Sequence, residues 1–157
     1  MNTSVSIQPM PRWSEGIPHD ERSGERMKKV WTRRTIGALP QDVWRALTDL
    51  RDWPAWGPSV RSAEIDGTEL GLGVTGTIKT IGGVQLPFEI TSFEPGHRWE
   101  WRVAGLPATD HVVADLGNGS CDVSFGVPLI AAPYLTVCRV ALRRIETLTS
   151  QRTGVAT

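Results

Sequence analysis

Among the side chains able to do chemistry, His111 has the best placement. It follows Asp110 at the start of an apolar run, whereas His97 lies in a turn and His19 in a polar N-terminal stretch. An imidazole inside a pocket can shuttle a proton near neutral pH. Spacing fixes no second titrating group beside it, so the pattern favours a histidine on the solvent face of its strand. Arg98 and Arg102, the other polar candidates for a catalytic role, alternate with Glu100 along one strand. That alternation reads as a solvated face laced by cross-strand ion pairs. Two distant cysteines and three scattered histidines offer no metal-ligand spacing. Gly71-Leu72-Gly73 lacks the strand, turn and helix context of a phosphate loop. Serine, histidine and aspartate form no recognisable hydrolase arrangement. The sequence therefore points to no metal and no cofactor.

The apolar residues carry more information. Trp56, Phe88, Trp99, Trp101 and Tyr134 fall at positions expected to face inward. Flat rings of this kind suit a planar or polycyclic ligand. They serve equally well as ordinary core filling. If a cavity exists, these five residues are its expected walls.

The elements that must position them follow from periodicity and punctuation. Lys28 to Ile36 is rich in β-formers and bounded by Gly37, which predicts a first strand. Pro40 suits the first turn of a helix, where Val43, Trp44 and Leu47 share one face. Trp53 and Trp56, three apart, share a face of a second short helical turn, and Trp53-Pro54 argues against one continuous helix. Strands are predicted over Ser59 to Ile65, Val74 to Ile81, Val84 to Thr91, His97 to Val103, His111 to Leu116 and Cys121 to Val127. Asp66-Gly67, Gly82-Gly83 and Gly117-Asn118-Gly119 supply turn signals between them. Pro87 predicts an edge, bulge or distorted ladder. A slip near Pro87 or Gly105 would exchange the two faces of a strand. Seven strands are expected in all.

From about Ala131 to Gln151, Tyr134, Cys138, Ala141, Ile145 and Leu148 recur at helical spacing, with Arg139, Arg143, Glu146 and Ser150 away from them. Pro133 is acceptable only in the first turn. Residues 1 to 27 show no periodicity and read as a poorly ordered tail, in which Trp13 and Ile17 are the residues able to dock. Residues 28 to 151 form the domain, and 152 to 157 a flexible C-terminus.

The chain has 157 residues, enough for one domain with a full core. Its 17 basic and 17 acidic residues cancel, and no segment concentrates positive charge. Nucleic acid is thus an unexpected partner. No apolar run approaches the roughly 20 residues that span a bilayer, and no secretory signal pattern opens the chain. The expectation is a cytoplasmic protein that does not span a membrane. Cys121 and Cys138 sit among apolar neighbours and are expected as buried free thiols.

Three stretches carry a family resemblance: Val43-Trp44-Arg45-Ala46-Leu47-Thr48-Asp49 with Trp53-Pro54-Ala55-Trp56; Phe93-Glu94-Pro95-Gly96-His97-Arg98-Trp99-Glu100-Trp101; and the arginine-rich terminal helix. Over about residues 28 to 150 the chain resembles the START-like (SRPBCC) superfamily, the polyketide cyclase/dehydrase and Bet v 1-like group. The resemblance implies an α+β helix-grip fold, a curved seven-stranded antiparallel sheet around a long C-terminal helix with two short helices after the first strand. It also implies a cavity between sheet and helix for a small apolar molecule. Three functions follow as alternatives: binding of a hydrophobic or aromatic molecule, lipid or polyketide-like; an aromatase/cyclase acting on a poly-β-keto chain; or a regulatory or stress-response interaction module using the tail. The sequence sets neither a ligand identity nor an oligomeric state.

Overall fold

The computed structural model describes residues 28–155, with the Val155 side chain excluded. The expectations for residues 1 to 27 lie outside the described residues. Seven strands form one antiparallel sheet: β1 (Lys29–Ile36), β2 (Val60–Ile65), β3 (Thr75–Thr80), β4 (Gln85–Glu94), β5 (Arg98–Val103), β6 (Leu106–Asp115) and β7 (Cys121–Pro128). Their order across the sheet is β1-β7-β6-β5-β4-β3-β2. Consecutive strands from β2 to β7 are therefore neighbours, and β1 closes against β7. Two short helices, α1 (Pro40–Thr48) and α2 (Trp53–Trp56), follow β1, and α3 (Leu135–Val155) ends the described chain. The layout is the helix-grip arrangement, with one sheet face gripping α3 and the other turned outward.

Local chemistry explains the joints. α1 starts with Pro40, whose missing N–H is no loss in a first turn. Its last carbonyls have no partner within the helix. Trp53 Nε1 donates to the Leu47 carbonyl at 3.0 Å and Trp56 Nε1 to the Ala46 carbonyl at 2.8 Å. The two tryptophans of α2 therefore close the C-terminal end of α1 while their rings enter the core. Trp44 is only half-buried, 5.7 Å from the Phe93 ring, and Ala46 takes the buried position beside Val43 and Leu47.

The long helix begins later than its periodicity predicts. Leu129–Tyr134 is a 3-10 segment broken at Ala131 (φ −99°, ψ 18°), so Pro133 precedes α3 rather than opening it. Cys138, Ala141 and Ile145 are buried as expected, and Leu142 and Thr149 join them. Thr149 Oγ1 donates to the Ile145 carbonyl at 2.9 Å, which lets a hydroxyl sit in the core. Arg34 pairs with Glu146 at 2.5 Å, and Arg152 with Asp52 at 2.6 Å, tying α3 to β1 and to the turn before α2. α3 runs past Gln151 to Val155. Among the described residues no helix is long and apolar enough to cross a membrane. Cys121 and Cys138 are free and buried.

Register decides which side chains reach the interior. β4 carries an extra residue, Thr91, between its pairs Ile90–Trp101 and Ser92–Glu100. β6 carries one between Pro107 and Asp110, opposite Trp101. Pro87 is not the site of either bulge. Its carbonyl accepts the Ala104 N–H at 2.8 Å, so its missing N–H faces the side on which β5 has already ended. Gly76 is required by packing: a Cβ there would lie 2.2 Å from the Glu64 carbonyl oxygen and 2.7 Å from the Phe88 ring.

Candidate functional site

A cavity of about 340 Å³ lies between the inner sheet face and the start of α3. That is at the low end of the roughly 300–1,000 Å³ usual for small-molecule sites. Trp53 and Trp56 of α2, Ile78 of β3, Leu86 of β4, Trp101 of β5, His111 of β6, Phe125 of β7 and Val137, Cys138 and Ala141 of α3 line it. Polar atoms come from Ser59, Thr80, Thr109 and Tyr134, and Ser59 Oγ and Tyr134 Oη share a hydrogen bond at 2.8 Å. No aspartate, glutamate, lysine or arginine lines the cavity.

The five expected wall aromatics separate into two layers. Trp56, Trp101 and Tyr134 line the cavity, whereas Phe88 and Trp99 lie behind it. Trp53 joins the layers: its ring is stacked on Trp99 at 5.5 Å and meets Trp101 edge-on at 5.3 Å and Phe88 at 5.7 Å. Trp99 and Trp101 bury their indole N–H groups with no hydrogen-bond partner among the described residues.

His111 lies inside. It is 2 % exposed and belongs to a cross-strand row on the inner face, Phe93–Trp99–His111–Phe125. Its ring stacks on Trp99 at 3.8 Å and meets Phe125 at 4.7 Å. Burial pulls its pKa down to about 3, against smaller upward effects from its bond to the Trp99 carbonyl and from Asp110. The imidazole is therefore neutral at physiological pH and a weak base. Cys138 is equally unreactive, since burial pushes its thiol up to about 11. Burial also raises the Tyr134 phenol. The cavity is thus neutral as well as apolar.

Arg98 and Arg102 point elsewhere. Neither lines the cavity, and Arg102 is exposed. Arg98 clasps Asp110 through Nε at 3.0 Å and Nη2 at 2.7 Å, and Nη2 also reaches Glu100. Lys29 Nζ completes the outer-face cluster, 3.0 Å from Asp110 and 2.7 Å from Glu100. The bond from Arg98 to Asp110 raises the guanidinium pKa. Asp110 is fully buried although it faces away from His111. In its cross-strand row Gly126 stands between it and Trp31, and the Trp31 ring lies 2.9 Å from where a Gly126 Cβ would be. The cluster is a structural ion network on the sheet's outer face.

Sequence reasoning passed over Ser59, Thr80 and Thr109 as wall residues, small side chains whose role depends on what curves around them. A signal for His111 was present: Cys121, Val123, Phe125 and Val127 alternate on β7. Reflecting that alternation through the Gly117-Asn118-Gly119 turn puts Val113 and His111 on the same face.

Among curated proteins none matches this chain. Solved structures of the same fold are numerous. A protein from Mesorhizobium loti is 15 % identical with a TM-score of 0.65, covering 79 % of this chain and 98 % of its own. One from Nitrosomonas europaea is 16 % identical at 0.62, covering 80 % and 96 %. One from Chromobacterium violaceum is 21 % identical at 0.56, covering 77 % and 96 %. At these identities the likeness is one of fold, and it repeats the sheet-around-helix architecture that encloses the cavity. The family model described as "Polyketide cyclase / dehydrase and lipid transport" matches residues 27–133, the stretch that supplies every cavity wall except Tyr134 and α3, and the chain belongs to that family.

Proposed function

We propose that this protein binds a small, neutral, apolar or aromatic molecule in the cavity between its sheet and α3. The observation that carries the reading is the composition of the wall: tryptophan, phenylalanine and aliphatic side chains, with no ionisable residue that is charged near neutral pH. A carboxylate or ammonium group placed there would lose its hydration without gaining an ionic partner. The other reading open to the family, an aromatase/cyclase folding a poly-β-keto chain, calls for a group that takes up and returns a proton. A histidine with a pKa of about 3 serves that role poorly at neutral pH, so binding is the better-supported reading.

The test uses the neutral, environment-sensitive dye N-phenyl-1-naphthylamine. Wild-type protein should give saturable, blue-shifted emission at one dye per chain. Val137→Trp, which fills the cavity from α3, should abolish the signal while circular dichroism stays native. Absence of saturable binding to the wild type, or equal binding to a folded Val137→Trp variant, refutes the reading.

A further inference from the structure

The polar side of the cavity limits what the ligand can carry. His111 Nδ1 lies 3.3 Å from the Trp99 carbonyl oxygen, which can only accept, so the ring hydrogen belongs on Nδ1. A neutral imidazole has one ring hydrogen, which leaves Nε2 a bare lone pair. No described residue donates to it. The ring that carries it is 2 % exposed and forms part of the cavity wall. Trp99 on one side and Phe125 on the other hold the ring in place, so this acceptor has a fixed direction.

We infer that His111 Nε2 is the specificity-determining acceptor of the cavity, and that the ligand is a neutral aromatic or polycyclic alcohol, phenol or enol whose hydroxyl donates to it. This inference rests on the cavity-binding reading and narrows it. A hydrogen bond to that lone pair from a ligand in the cavity is a net gain of about 1 kcal/mol. A ligand hydroxyl can make that bond, whereas a ketone, an ether or a carboxylate has no hydrogen to donate. The aromatic and aliphatic part of the wall receives the ring system, and of the wall hydroxyls those of Ser59 and Tyr134 are already bonded to each other.

Competition against N-phenyl-1-naphthylamine tests the idea with two probes of similar shape, 2-naphthol and 2-methoxynaphthalene. The affinity ratio of naphthol to methoxynaphthalene should fall about fivefold from wild type to His111→Phe, the size of one neutral hydrogen bond. A second measurement requires no variant: in the wild type, the ¹⁵N resonance of unprotonated Nε2 should move on addition of 2-naphthol and stay fixed with 2-methoxynaphthalene. An unchanged ratio in a folded variant, or an unmoved Nε2 resonance at saturating naphthol, overturns the assignment of His111 and leaves the cavity reading standing. Failure of the dye itself to bind overturns both.

Discussion

Lowering the pH from 7.5 to 4.5 should destabilise this fold by about 3 kcal/mol through His111 alone. In the unfolded chain the imidazole titrates near 6.5, and in the folded protein near 3. Between those values the unfolded state binds a proton that the native state refuses, so stability falls as the pH drops below 6.5 and levels off below about 3. At pH 4.5 the unfolded chain is two pH units below its pKa, and about 1.4 kcal/mol per unit gives the figure. The groups facing His111 do not offset this. Across the cavity Cys138 and Tyr134 are neutral, and Asp110 projects from the opposite face of the strand, held by Arg98 and Lys29. Carboxylates elsewhere titrate in the same range, so the measurement is a difference. Urea unfolding of the wild type and of His111→Phe is followed at both pH values. The wild type should lose about 3 kcal/mol more than the variant, whatever their stabilities at pH 7.5. Equal losses, or an NMR titration placing His111 near 6.5 in the folded protein, would refute the argument that the ring is dry and uncharged.

Four further outcomes follow from the packing. Trp56→Phe keeps most of the ring but removes the donor to the Ala46 carbonyl, and should cost about 1–3 kcal/mol by chemical denaturation. Asp110→Asn should cost about 3 kcal/mol, because it removes the buried carboxylate and leaves the two cations Arg98 and Lys29 with Glu100 as their one acidic partner in the cluster. Arg102→Ala on the neighbouring strand β5 should change stability by less than about 0.5 kcal/mol, since that side chain is exposed. Gly76→Ala should destabilise by about 2 kcal/mol or more, read as a lowered melting temperature, because its Cβ meets both the Glu64 backbone and the Phe88 ring.

The strand count and the long helix were legible because they depend on periodicity, which each segment carries by itself. α1 and α2 could be read from Pro40 and the Trp53–Trp56 pair, although nothing local shows that those indoles close the end of α1 ten residues or fewer away. The candidate site was harder to read because it depends on parity. On β6, Val112 and Val113 are both apolar, so local alternation leaves Asp110 and His111 free to exchange faces. With no second titrating group fixed beside it by spacing, a solvent-facing histidine was the natural expectation. Here both faces of β6 are covered: the inner by the ring row that includes His111, the outer by the charge cluster around Asp110. Adjacent residues with opposite directions are thus both buried, a case in which polarity no longer reports exposure. Arg98 was read as solvated for the same reason, and its partner turned out to be the buried neighbour of the histidine. The sheet thereby separates its polar chemistry: charges are paired outside, and inside the polar groups are neutral, the His111 imidazole with the hydroxyls of Ser59, Thr80, Thr109 and Tyr134. Such a wall offers a ligand no charge to meet, so under the inference drawn for His111 Nε2 selection would fall to whether the ligand can donate a hydrogen bond.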